Sequence, residues 1–282
     1  MNEQISRLIE LRRLEEKSRS NHLSRIISVV SGKGGTGKSF FAINFAYQLS
    51  RLGKNVLVVD LDYNFANIHL LINHASDYTL ADFFLQRRVL RELVYKYSDN
   101  LSIIFGDSGT SDSPKLSRDL LEYFFIHLYK ISPQYDYIIL DSSAGADELT
   151  IEQIKKSDYN FIISTPEPTS VMDAYVVFKI ITEYTESNKN YIVFNKSESK
   201  EDSDSAFQNL STAVRHFLKS DINLLGVIGL DRLVNRSVME QELLIKSYPN
   251  SMSALEISEL VNRFIKIAQV ANNNQSLFKT RI

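Results

Sequence analysis

The sequence predicts an α/β fold, a mostly parallel twisted sheet with helices on both faces, preceded by a short N-terminal helix. Three observations predict it. From Arg25 onward, short runs rich in Ile, Val and Tyr alternate with longer stretches of helical periodicity. Several of the short runs ("IISVV", "VLVV", "YIIL") are apolar almost throughout, as strands covered on both faces are. The first of them leads straight into a glycine-rich turn and a helical pattern, the order of an α/β unit.

Taken in order, residues 1–24 form a separate element. Ile5, Leu8 and Ile9 share one helical face with Leu11 and Leu14 trailing around it, and Lys17 to His22 is polar enough to be a linker. Strands are expected at Ile26–Ser31, Asn55–Asp60, Leu101–Phe105, Tyr137–Asp141, Phe161–Thr165, Tyr191–Asn195 and Leu225–Leu230. Helices are expected at Lys38–Leu52, Leu116–Lys130, Ala146–Ser157, Ser170–Glu186 and Ser203–Phe217. The charged run Lys196–Ser205 reads as a surface loop, because the alternation resumes after it. A last helix, Leu255–Ala271, repeats apolar residues at Ile257, Leu260, Val261, Phe264, Ala268 and Ala271 and should close the core. The chain thus divides into an extension and linker (1–24), one α/β domain (25–272) and a tail (273–282).

Composition excludes several functions. With 282 residues, 44% of them hydrophobic and 23% charged, the chain is long enough for one large core. A net charge of −2 argues against a nucleic-acid partner bound through bulk charge. The absence of cysteine excludes disulfides, thiolate metal sites, iron–sulfur clusters and cysteine nucleophiles. The five histidines lack ligand spacing. No apolar run approaches the ~20 residues that span a bilayer, and the charged N-terminus is no signal peptide, so the expected location is cytoplasmic.

The sharpest motif is "SGKGGTGKS", Ser31 to Ser39. Gly32, Gly37, Lys38 and Ser39 satisfy G-x-x-x-x-G-K-[ST] between a buried strand and a helix. Glycines let successive N–H groups turn inward around phosphate oxygens, and the following helix aims its positive end at the same anion. Lys38 supplies charge to the terminal phosphates and Ser39 a hydroxyl to Mg²⁺. The motif "GDSG" at Gly106–Gly109 has no partnered His–Asp arrangement and is not a serine nucleophile site.

With Lys33 added, "KGGTGKS" resembles the deviant phosphate loop of the MinD/ParA family, the SIMIBI class of phosphate-loop ATPases. Two further stretches follow in order, "VLVVDLDYNFANIHLL" and "YDYIILDSSAG". The resemblance spans nearly all of Arg25 to Ala271 and implies ATP and Mg²⁺ as cofactors, bound by Gly32, Lys33, Gly34, Gly35, Thr36, Gly37, Lys38 and Ser39. It implies that Lys33 reaches the phosphates of a second subunit in an ATP-dependent homodimer. It also makes Asp62 the carboxylate that orients the attacking water, and Asn67 part of the same switch. Asp60 would support the metal side, Asp141 would hold a Mg²⁺-bound water, and Asn195, ending "YIVFN", would read the adenine edge. "STPEPTSVMDAY" (Ser164–Tyr175) and "GVIGLDRLVNRSVMEQ" match further family stretches. The sequence departs from the family at Ser143 and Gly229, where proline is usual, at Asn64, where glycine is usual, and at His69, where aspartate is usual.

Within the family, lack of cysteine and of a tyrosine-rich tail leaves the MinD, ParA and FlhG branches. The N-terminal "EQISRLI" resembles the FlhG helix, with Glu3, Gln4 and Leu8 at matching positions. That branch regulates flagellar number and placement, and the resemblance implies docking of this helix on an FlhF-type GTPase. A ParA-like partitioning ATPase and a MinD-type division-site regulator are the alternatives. The tail ends "QSLFKTRI". Its two cations supply roughly 2 kcal/mol at an anionic surface against about 4 kcal/mol for millimolar binding, so a single tail gives only weak contact with the inner membrane face.

Overall fold

A computed structural model of the chain describes residues 24–62, 66–107, 116–186 and 189–279, with side chains to residue 270. The expected partner-facing residues Glu3, Gln4 and Leu8, the switch residue Asn64, most of the Gly106–Ser117 loop and the side chains of the tail lie outside the described residues.

The strands are β1 (Arg25–Ser31), β2 (Val56–Asp60), β3 (Tyr95–Ser98), β4 (Leu101–Ile104), β5 (Tyr137–Ala144), β6 (Tyr159–Ser164), β7 (Asn190–Ser197) and β8 (Asn223–Gly229). Among the described residues they form one sheet in the order β3-β4-β2-β5-β1-β6-β7-β8. Every pairing is parallel except β3 on β4. β1 lies in the interior, with Ile27 opposite Ile139 of β5 on one side and Tyr159 of β6 on the other. The chain leaves β1 toward β2 and later returns to β6 on the opposite side. The carboxyl end of β1 is therefore the crevice where ligands enter open α/β sheets.

The helices are α1 (Lys38–Arg51), α2 (Ile68–Leu71), α3 (Leu80–Phe84), α4 (Arg118–Ile131), α5 (Glu148–Lys155), α6 (Pro168–Thr182), α7 (Lys200–Ala213), α8 (Arg232–Met239), α9 (Leu244–Ser247) and α10 (Met252–Lys279). Side chains alternate across each strand, so neighbours in "IISVV" serve different layers. Ile27, Val29 and Val58 pack with Phe41, Phe45 and Leu49 of α1 and with Ile257, Val261 and Phe264 of α10. Ile26, Leu57 and Val59 turn to the other face, against Phe124, Phe125 and Leu128 of α4. Val30 joins Ile162 and Phe194 under Val177 and Phe178 of α6 and Leu210 of α7. Phe161 meets Phe264 edge to face, with centroids 5.2 Å apart, an arrangement the ring quadrupoles favour. The continuous apolar runs are thus covered on both sides, as the sequence implies.

Three expectations are corrected. The segment Lys196–Ser205 is not a loop throughout: α7 begins at Lys200, its N-terminus capped by the Ser199 hydroxyl, which accepts from the Asp202 N–H, with Glu201 and Asp202 in the first turn. Those acids suit a helix start, and their polarity reflects an exposed face. β3 was not expected. "YKYS" is too short to show a period, and its Lys96 points outward on an edge that a charge protects. The last helix begins at Met252 and its backbone continues to Lys279, past the expected end at Ala271.

Candidate functional site

The loop after β1 lines a cavity of about 860 Å³ with Asp62, Asn67, Ser143, Asp147, Asn195 and the segment Gly229–Asp231 around it. That volume suits a cofactor-sized ligand. Ser31, Lys33, Gly34, Gly35, Thr36, Gly37, Lys38 and Ser39 all contribute. Gly32 is required by its neighbour, since a Cβ there would stand 2.5 Å from the Asp173 Cβ. Gly37 has φ +89° and a Cβ on it would collide with the Asn195 amide. A second cavity of about 850 Å³ runs between α6 and α7, lined by Val171, Met172, Tyr175 and Phe217. It lies outside the loop, so the nucleotide chemistry belongs to the first.

Three strand ends converge under the loop. Lys38 Nζ donates to Asp141 Oδ1 at 2.9 Å, with both side chains buried. Burial alone would lower the lysine pKa, but the charge and hydrogen bond of Asp141, with Asp62 and Asp60 behind them, hold it above the ordinary value. Asp60 is fully buried. Burial, and then the charge of Asp141, push its carboxyl up to about 8. Its Oδ1 accepts from the Asp62 N–H at 3.1 Å, and its Oδ2 accepts from Asn67 at 3.1 Å and Ile68 at 3.2 Å. Asp60 therefore ties the switch backbone to the end of β2. Asp62 and Asn67 are carried by that tied segment and line the cavity wall.

Two loop residues are engaged elsewhere in the chain. Lys33 Nζ donates to Glu167 Oε2 at 3.0 Å and Thr169 Oγ1 at 3.3 Å, at the start of α6. Asn195, expected to read the base, donates its Nδ2 to the Thr36 carbonyl at 2.8 Å. Gly229 replaces the family proline with a purpose: its N–H donates to Glu256 Oε2 at 2.8 Å, which no proline could do. Burial raises the Glu256 pKa, with Glu259 and Asp231 adding and the Gly229 N–H opposing. Gly145, at the end of the family's acidic motif, donates to the Ser31 carbonyl at 2.8 Å, so the motif still seats against the loop with Ser143 in place of proline.

The donor set fits a nucleotide with its metal. Asp141 Oδ2 and Thr36 Oγ1 are buried without a hydrogen-bond partner among the described residues, an acceptor and a hydroxyl that a metal-bound water and a phosphate would satisfy. The cavity gathers Lys33, Lys38, Ser39, Asp62, Asn67 and Asn195, and Asp60 and Asp141 adjoin it. Sequence reasoning missed Glu167, Thr169, Lys196 and Glu256. Each acts on a residue far away in the chain, and only Glu167 and Thr169 carried a signal, by falling inside the "STPEPTSVMDAY" stretch.

Fold and site together define a phosphate-loop nucleotide-binding protein with a second loop lysine. A family model described as an AAA domain matches residues 24–194, and the chain belongs to that family, within its MinD/ParA group. It is similar to the antiactivator FleN of Pseudomonas aeruginosa, 27% identical over 86% of this chain and 87% of that one. It is equally similar to the flagellum site-determining protein YlxH of Helicobacter pylori, 27% identical over 94% and 91%. Among solved structures, the septum site-determining protein MinD of Pyrococcus horikoshii, complexed with Mg-ADP, superposes with a TM-score of 0.73 at 26% identity, covering 88% of this chain and 98% of that one.

Proposed function

We propose that this chain is an ATP-binding and ATP-hydrolysing dimerisation switch of the FlhG type, acting on flagellar number or placement through an FlhF-type GTPase. The observation that carries the reading is the divergence of the two loop lysines. Lys38 turns inward, buried against Asp141, where it meets the phosphates of its own nucleotide. Lys33 lies at the lip, about one third exposed and paired with Glu167, and in this reading it leaves that pair to meet the phosphates of a second copy. When bound, Mg²⁺ neutralises phosphate charge, with Ser39 and the Asp141 carboxylate at hand to hold its ligands. The chain's own residues supply the rest. Lys38 and the loop amides orient the phosphates, and Asp62 orients a water for attack, without a covalent intermediate.

The relatives named FleN and YlxH support the flagellar direction. The FlhF-type partner rests on Glu3, Gln4 and Leu8. No helix among the described residues is long and apolar enough to cross a membrane, and any membrane contact is proposed to be weak and peripheral through the tail. Calorimetry with Mg-ATP tests the nucleotide reading: binding is expected, and no heat would remove it. GTP turnover by an FlhF-type GTPase tests the partner. The full chain should stimulate it, replacement of Glu3, Gln4 and Leu8 by alanine should abolish the effect, and an unchanged rate would contradict the assignment.

A further inference from the structure

Two consecutive side chains at the end of β7 take hold of two consecutive peptides of the phosphate loop. Asn195 Nδ2 donates to the Thr36 carbonyl and Lys196 Nζ to the Gly35 carbonyl, each at 2.8 Å. In a trans peptide the carbonyl and the following N–H point in opposite directions. Among the described residues there is no cis peptide bond. Drawing the Gly35 and Thr36 carbonyls toward these two side chains therefore turns the N–H groups of Thr36 and Gly37 away from them.

We propose that Asn195 and Lys196 are positioning residues that fix these two peptide planes so that the Thr36 and Gly37 N–H groups face a bound polyphosphate. The proposal rests on the nucleotide-binding reading of the cavity and assigns what holds the loop in shape. Gly35 and Gly37 both have positive φ, +79° and +89°, and glycine has the widest backbone freedom of any residue. Without an outside anchor these peptides would lose more entropy on binding phosphate, so anchoring them in advance raises affinity.

Lys196 shows the cost of that anchor. It is itself left-handed, with φ +59°, a conformation seldom adopted by residues other than Gly, Asn and Asp. Such outliers persist where the surroundings hold them and are found at binding sites. The missing Cβ of Gly37 completes the fit, because the Asn195 amide occupies the space a side chain would need.

The test measures equilibrium binding of Mg-ATP and Mg-GTP to the full chain for wild type, Lys196→Gly, Lys196→Arg and Asn195→Ala, alongside unfolding temperatures without nucleotide. Lys196→Gly relieves the left-handed backbone and removes the donor. It should leave the unfolding temperature equal or higher while affinity for both nucleotides falls about tenfold, the scale of a lost charged hydrogen bond. A merely structural lysine would not give that split. Lys196→Arg, which keeps a cationic donor, should recover most of the loss. Asn195→Ala should weaken both nucleotides equally, leaving their ratio unchanged. Wild-type affinity in Lys196→Gly overturns the proposal, as does a loss confined to ATP in Asn195→Ala, which would assign Asn195 to the base. Wild type binding neither nucleotide overturns the reading of the cavity itself, a separate outcome.

Discussion

Lys38 donates to Asp141 across 2.9 Å with both side chains buried, at the floor of the cavity that the loop after β1 lines. Among the described residues, Lys38 is the cation whose charge acts on the buried Asp60 carboxyl. Removing one partner of a buried pair leaves the other uncompensated, at about 3–5 kcal/mol. Lys38→Ala is therefore expected both to bind no ATP and to unfold at markedly lower urea. Chemical denaturation checks it, and an unchanged midpoint would contradict the pairing.

Asp62 rides on a segment whose backbone is tied by Asp60 at 62, 67 and 68. Replacing only its side chain leaves the loop and those ties in place. Asp62→Ala should keep ATP affinity within a few-fold while turnover falls at least about a hundredfold, the scale of a positioned proton acceptor. Single-turnover hydrolysis measures this, and wild-type turnover would remove Asp62 from the chemistry.

The Asp60 carboxyl gives the nucleotide-free protein a pH dependence of definite sign. Its pKa is about 8 in the fold against an ordinary value of 3.8. Between those values the folded chain holds a proton that the unfolded chain has released, so this contribution to stability falls as pH rises from about 4 and is lost on passing 8. Denaturation midpoints measured across that window should show the fall, and Asp60→Asn should flatten it from a lower starting stability. An equal slope in wild type and variant would refute the assignment.

Gly229→Pro restores the residue usual in the family and is expected to harm this chain. It removes the N–H that Glu256 accepts at 2.8 Å and places a Cβ 2.6 Å from the Met252 Cε. Leaving the half-buried carboxylate without that donor costs about 2 kcal/mol. A lowered denaturation midpoint checks it, and a stabilised variant would show that Glu256 finds another donor.

The parts legible in the sequence are those whose causes are local. "IISVV" followed by "SGKGGTGKS" carries the buried strand, the turn and the helix start within fifteen residues, and the structure builds them there. Asp60 and Asp141 announce themselves by closing the apolar runs "VLVV" and "YIIL", and Asp62 follows Asp60 by two residues. What stayed hidden depends on partners far along the chain. Lys33 meets Glu167 across 134 residues, and Lys196 meets Gly35 across 161. In the sequence, Lys196 merely opens a polar run. That run also concealed the first turn of α7, because an exposed amphipathic start rich in Ser, Glu and Asp has the composition of a loop until its Ser199 cap is seen.

The proposed switch requires that a triphosphate be shared between two copies of the chain through Lys33. Sedimentation of wild type and Lys33→Ala with Mg-ATP, in the slowly hydrolysing Asp62→Ala background, tests it most directly. Doubled mass is expected for the parent and single mass for the Lys33→Ala form, with ATP bound to both. A parent that binds ATP yet stays at single mass, or a Lys33→Ala form that still doubles, would contradict it.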